Sequence, residues 1–208
     1  MRGYASNTGT RRNLDALRAA GWGVMLTPDN PTPRPGMSNV ADNGAWRAHQ
    51  RGEEFNERAF WGLIEPYGAL CDFVVVPDIV EGGMRSFDFS LCWLSRLAGL
   101  KMLLFPVQDG MDVKEVCRML RRETNLGIFV GGSTAWKLET MGLWGAVAAA
   151  LGRHCHVGRV NTARRIRLCA EAGVDSFDGT SATMYACTLP LLDAARRQPS
   201  LFAPSRFA

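Results

Sequence analysis

The chain has 208 residues, and its 24 lysines and arginines against 20 aspartates and glutamates leave a formal net charge of +4. With 47% hydrophobic and 21% charged residues, it reads as a soluble globular protein long enough for one well-buried core. No run reaches the roughly 18 to 20 apolar residues of a membrane span, the start Met1-Arg2-Gly3-Tyr4 lacks a signal peptide's apolar stretch, and the six cysteines form no CxxC pair, which argues against a membrane protein, a disulfide framework or a zinc ribbon and for the cytoplasm.

Strand and helix signals alternate from the start. Arg2–Ser6 is a weak first strand, and Thr10 caps a helix with Leu14, Leu17 and Ala20 at helical spacing, closed by Gly21. Val24–Thr27 is a second strand, after which four prolines between Pro28 and Pro35 impose an irregular loop. Asn39–Asp42 is a third strand, followed by a helix around Phe55–Tyr67. Phe73–Val76 is the continuous apolar run of a parallel strand covered on both faces. Helical spacing resumes at Phe87, Leu91, Leu94 and Leu97, and Met102–Phe105 repeats the buried-strand pattern. A helix over Val113–Arg122, a strand at Ile128–Val130 and an alanine-rich helix over Thr134–Leu151 come next. His154–Val160 is a seventh strand, Thr162 caps a helix ending at Gly173, Val174–Asp178 is the eighth strand, and a last helix runs around Met184–Arg196.

Eight strands alternating with helices predict a compact α/β barrel of the (β/α)8 TIM type, a single domain over residues 1–198 with an irregular tail at 199–208. A doubly wound open sheet competes, but no GxGxxG follows the first strand. His154-Cys155-His156 is the one cluster of candidate metal ligands. Strand alternation sends Cys155 to the face opposite the two histidines and no fourth ligand is evident, so no metal is expected there.

In a parallel barrel the C-terminal ends of all strands meet at one mouth, where this fold builds its active site. Here those ends carry Asp42-Asn43-Gly44, Asp78, Gln108, Gly131-Gly132-Ser133 and Asp178. One pocket is therefore expected to hold three carboxylates, an amide and a glycine pair. Each segment alone has a plainer reading: a turn at Asp42-Asn43-Gly44, a helix cap at Asp78, an arginine partner at Asp178, packing by Trp46, a tight strand-to-helix turn at Gly131-Gly132.

Taken in order, these segments resemble the guanine transglycosylases, which exchange guanine for a 7-deazaguanine base. Asp42-Asn43-Gly44-Ala45-Trp46 resembles that family's DSGGF element and Asp78 its base-reading aspartate. Phe105-Pro106-Val107-Gln108 and Gly131-Gly132-Ser133 resemble its VQGG-like and GG elements, and Phe177-Asp178 its FDC element. The resemblance implies Asp178 as nucleophile, Asp42 as proton-transfer group and Trp46 as stacking face. It further implies base contacts from Asp78, Gln108, Gly131, Gly132 and Asn43. Departures are visible: Asn43 stands for serine, Gly179-Thr180 for the usual Cys-Val, and the C-terminal zinc module of the tRNA-acting members has no counterpart after the eighth strand. That pattern is similar to the short phage-type branch acting on DNA, and so implies a pentosyltransferase that places a 7-cyano-7-deazaguanine-like base in DNA with no cofactor, in the host cytoplasm if phage-encoded. A tRNA-guanine transglycosylase and a non-catalytic base- or nucleic-acid-binding subunit are the alternatives, and homo-oligomerisation is left open. Arg159, at the mouth end of the seventh strand, and Arg164 and Arg165, on the next helix, are expected to contact phosphates, the plainer reading being a solvated helix face.

Overall fold

Eight parallel strands close on themselves in sequence order: β1 (Arg2–Ser6), β2 (Gly23–Leu26), β3 (Asn39–Ala41), β4 (Val74–Val75), β5 (Leu103–Val107), β6 (Leu126–Val130), β7 (Cys155–Val157) and β8 (Ser176–Gly179). Around them lie α1 (Arg11–Ala20), α2 (Ala45–Gln50), α3 (Glu57–Tyr67), α4 (Met84–Leu94), α5 (Val113–Arg122), α6 (Thr134–Leu151), α7 (Ala163–Glu171), α8 (Ser181–Met184) and α9 (Leu189–Arg197). The fold is the (β/α)8 barrel that the alternation predicts. This computed structural model describes residues 1–185 and 187–198, so the tail expected at 199–208 lies outside the described residues. Among the described residues no helix is long and apolar enough to cross a membrane.

Local chemistry explains the better-placed boundaries. Gly21 ends α1 with φ of 69°, its N–H reaching back to the Arg18 and Leu17 carbonyls, a left-handed turn that costs glycine nothing. Asp112 accepts from the N–H groups of Lys114 and Glu115 at the start of α5, and Thr162 accepts from Arg165 N–H at the start of α7, each satisfying an otherwise orphaned first-turn donor. Thr10 precedes α1 in an extended conformation but makes no side-chain cap bond.

Other boundaries differ from expectation. A helix absent from the sequence reading, α2, starts directly after Gly44, and the single last helix expected around 184–196 is two helices, α8 and α9. Strand β5 runs through Pro106 instead of stopping before it. Leu104 accepts a hydrogen bond from Val76 N–H on the β4 side, and alternation turns Pro106 to that same side, where β4 has already ended. The next ladder bond would run from residue 106 N–H to the Val76 carbonyl; proline removes it, and that carbonyl accepts from Asn43 Nδ2 instead.

The apolar residues form two clusters. One lies between strands and helices, with Leu17, Phe60, Leu63, Trp144 and Phe177 fully buried. The other fills the barrel interior with Tyr4, Met25, Val40, Phe73, Val75 and Leu104. Register pairs His156 with Ser176 and Phe129 with His156, so neighbouring strands β7 and β8 put polar groups where the other strands put apolar ones. The barrel closes between β8 and β1, with Tyr4 opposite Asp178.

Candidate active site at the barrel mouth

A cavity of about 830 Å³ opens at the C-terminal ends of the strands, a volume suited to a nucleoside-sized ligand. Asp42, Asn43, Trp46, Asp78, Gln108, Gly131, Gly132, Arg159 and Asp178 all line it. Arg164 and Arg165 do not: Arg164 is exposed on the first turn of α7, and Arg165 beside it is partly covered.

Asp42 follows β3 directly, and its Oδ2 accepts from Gly44 N–H at 3.2 Å. Gly44 has φ of 80°, a turn that starts α2 and brings Trp46 over the cavity. Asn43 braces this corner. Its Nδ2 donates to the Val76 carbonyl and to Asp78 Oδ1, both at 2.8 Å, while its Oδ1 accepts from Ala45 N–H at 2.8 Å. Gln108 is buried, and its Nε2 is taken up by Ser86 Oγ at 2.7 Å and the Ile79 carbonyl at 2.9 Å, with Asp78 Oδ2 at a longer 3.4 Å. Its amide N–H groups thus hold the Asp78 loop rather than pointing free into the cavity.

Burial pushes Asp42 up to about 7, helped by the nearby charges of Asp178 and Asp78 and opposed by the Gly44 N–H. Burial also raises Asp78 to about 6, opposed by the Asn43 donor and by Arg159. Both residues are half-buried and line the cavity.

Asp178 stands on β8 with one oxygen engaged. His156 Nε2 lies 3.0 Å and Arg159 N–H 3.3 Å from Oδ1, and Oδ2 takes no hydrogen bond from a described residue. The turn after β7 is built around this carboxylate. Arg159 has φ of 59°, a strained conformation rare for a side-chain-bearing residue. Lys137 Nζ holds the Gly158 carbonyl at 2.6 Å, and Val160 N–H holds the Asp178 carbonyl at 2.6 Å.

Neither a protein-family model nor a curated protein matches the chain. The site must be read from its own geometry.

That geometry turns Arg159 inward. Its guanidinium lies 3.7 Å above the Trp46 ring and donates to the Gly132 carbonyl, surrounded by the fields of Asp178, Asp42 and Asp78. The face of Trp46 expected to stack on a base is thus covered by Arg159, and a stacked base either displaces the guanidinium or lies on its plane. Gly132 has φ of 70°, and a Cβ there would fall 2.4 Å from Asp109 Oδ2. Asp109 itself clamps the turn through Ser133 N–H at 2.7 Å and Ser133 Oγ at 2.8 Å.

The sequence reading missed His156, Ser176 and Asp109. The signal for His156 was present in the His154-x-His156 alternation beside the strand of Asp178, where it was weighed only as a metal site. Cys155 is buried away from the two histidines, as alternation predicts, and both imidazoles bind Ser176 Oγ. No group of three or more His, Cys, Asp or Glu side chains placed to hold a metal occurs among the described residues.

Proposed function

We propose that the chain is a nucleic-acid guanine transglycosylase acting on DNA, replacing guanine with a 7-deazaguanine base of the 7-cyano-7-deazaguanine type through a covalent aspartyl-glycosyl intermediate. The observation that carries this reading is that every base-site and catalytic residue implied by the family resemblance lines one cavity, with Asp42 held near neutrality beside Asp178.

The chemistry balances within the chain. Asp178 Oδ2 attacks the anomeric carbon, the C1′–N9 bond breaks towards guanine, and the departing base takes a proton from Asp42. An incoming base returns a proton to Asp42 as it attacks the same carbon, and Asp178 leaves as carboxylate with net retention, as in retaining glycosidases. A carboxyl group near 7 suits both transfers, because neither its acid nor its base form is scarce at neutral pH. Asp78, held by Asn43, presents an acceptor for the ring N–H and exocyclic amine of guanine-like bases. Pairing those donors disfavours adenine by roughly 1–3 kcal/mol per unmatched polar group.

Incubating the protein with labelled guanine and, separately, DNA and tRNA tests the reading. Label entering DNA supports it, and label entering tRNA alone moves the polymer to tRNA. With no exchange into either, the chain is a binding subunit. Asp178→Asn is expected to abolish exchange while keeping the fold, since an amide is nearly isosteric and a far poorer nucleophile.

A further inference from the structure

Behind Asp178 the barrel holds a row of polar groups that the proposed chemistry does not yet use. His156 is fully buried, its Nε2 at 3.0 Å from Asp178 Oδ1 and its Nδ1 at 2.8 Å from Ser176 Oγ. Ser176, also fully buried, meets His154 Nε2 at 2.7 Å on its other side. His154 in turn borders a second cavity at the opposite end of the barrel, beside Arg2 and Tyr4. The row crosses an otherwise apolar interior. Phe129 stacks on the His156 ring at 5.2 Å and 16°, and Phe73 meets it edge-on at 5.1 Å. Such packing leaves the imidazole no room to turn.

Hydrogen-bond accounting assigns the protons. A carboxylate only accepts, so His156 Nε2 carries the hydrogen towards Asp178. Ser176 has a single hydroxyl proton and two nitrogen neighbours. It donates to His156 Nδ1 and accepts from His154 Nε2–H, which pairs each member of the row with its neighbour. Burial and the adjacent imidazole pull His154 down to about 4, so it is neutral near pH 7 and fits the donor role through its one N–H.

We propose that His156 is the positioning residue of the nucleophile. Its Nε2–H fixes Oδ1 so that Oδ2 is the attacking oxygen, and Ser176 and His154 lock the tautomer that does so. The inference rests on the transglycosylase reading of Asp178. Oδ2 supplies the electron pair for the bond to C1′ and receives it back when the incoming base displaces the ester. Through both steps Oδ1 stays an acceptor and the His156 proton never transfers. The proton traffic of the reaction stays on Asp42, across the cavity.

Steady-state exchange kinetics of His156→Phe, His156→Gln and Ser176→Ala against wild type test this. The phenyl ring keeps the packing and removes the donor, so kcat is expected to fall on the order of 100-fold with KM for base and nucleic acid unchanged. Gln restores an N–H near the Nε2 position and is expected to recover about tenfold of that loss, a rescue that packing alone does not give. Ser176→Ala frees the tautomer and is expected to lower kcat about tenfold. Nitrogen NMR of wild-type His156 near pH 7 is expected to show a protonated Nε2 and a bare Nδ1. Should His156→Phe fail to fold, the Ser176→Ala kinetics and the NMR tautomer decide. A kcat for His156→Phe within threefold of wild type, or a bare Nε2, overturns the positioning role while exchange by wild type keeps the transglycosylase reading. Absence of exchange by wild type overturns both.

Discussion

Asp42 and Asp178 are the same side chain at the ends of two strands, and the fold gives them different neighbours. Asp178 receives N–H donors from His156 and Arg159, whereas Asp42 is half-buried, and desolvation beside other carboxylates pushes it up to about 7. On the proposed transglycosylase reading, departing guanine takes its proton from Asp42, and kcat/KM for the nucleic acid is then expected to fall as pH rises through about 7. Asp42→Asn is expected to lose this limb along with turnover, yet keep base affinity by calorimetry. A variant that retains the limb assigns the proton to another group. The three aspartates were legible in the sequence because each follows an apolar strand. The roles of Asn43, Gln108 and His156 were not. Asn43 and Gln108 read as base contacts, yet their amide donors brace Asp78, and the partner of His156 depends on the β7–β8 register, which no local pattern encodes.

Elements were legible wherever burial and caps agreed, as in α5 and α6, whose sequence bounds match the structure. Short elements were not. Strand β4 has two residues, and α2, with Ala45 its only buried residue, gives no apolar period to read. Packing between elements is equally silent in sequence, as two glycines of α6 illustrate. A Cβ on Gly145 would lie 1.9 Å from the Ala172 carbonyl at the end of α7, whereas one on Gly142 meets nothing within 4 Å. Gly145→Ala is therefore expected to destabilise the protein by about 1–3 kcal/mol. Gly142→Ala, on the exposed face of the same helix, is expected to stabilise it by roughly 1 kcal/mol. Urea denaturation of both variants checks the pair, and equal midpoints refute the close approach of α6 to α7.

At the scale of the whole molecule the mouth is a stability cost that depends on pH. Asp42 and Asp78 keep protons in the fold at pH values where the unfolded chain has released them. Their contribution is present in full below the unfolded carboxyl value of 3.8 and is lost as pH rises through about 6 for Asp78 and about 7 for Asp42. His154, pulled from 6.5 down to about 4, works the opposite way between those values, so the readout is a difference between proteins. Relative to wild type, Asp42→Asn is expected to gain on the order of 2 kcal/mol between pH 4 and pH 8, seen as a rising difference in melting temperature. A difference independent of pH would show that Asp42 titrates as an ordinary exposed carboxyl.

The closing seam of the barrel has a bearing on when the protein can act. Strand β8 pairs with β1 on one side and β7 on the other, and Asp178 takes its place opposite Tyr4 only when that last gap is shut. Asp42 and Asp78 leave the ribosome before β8 does, and they wait for it. On the proposed reading, a nascent chain thus carries the base-holding half of the site before its nucleophile. The proposed chemistry is withheld until β8 has met β1.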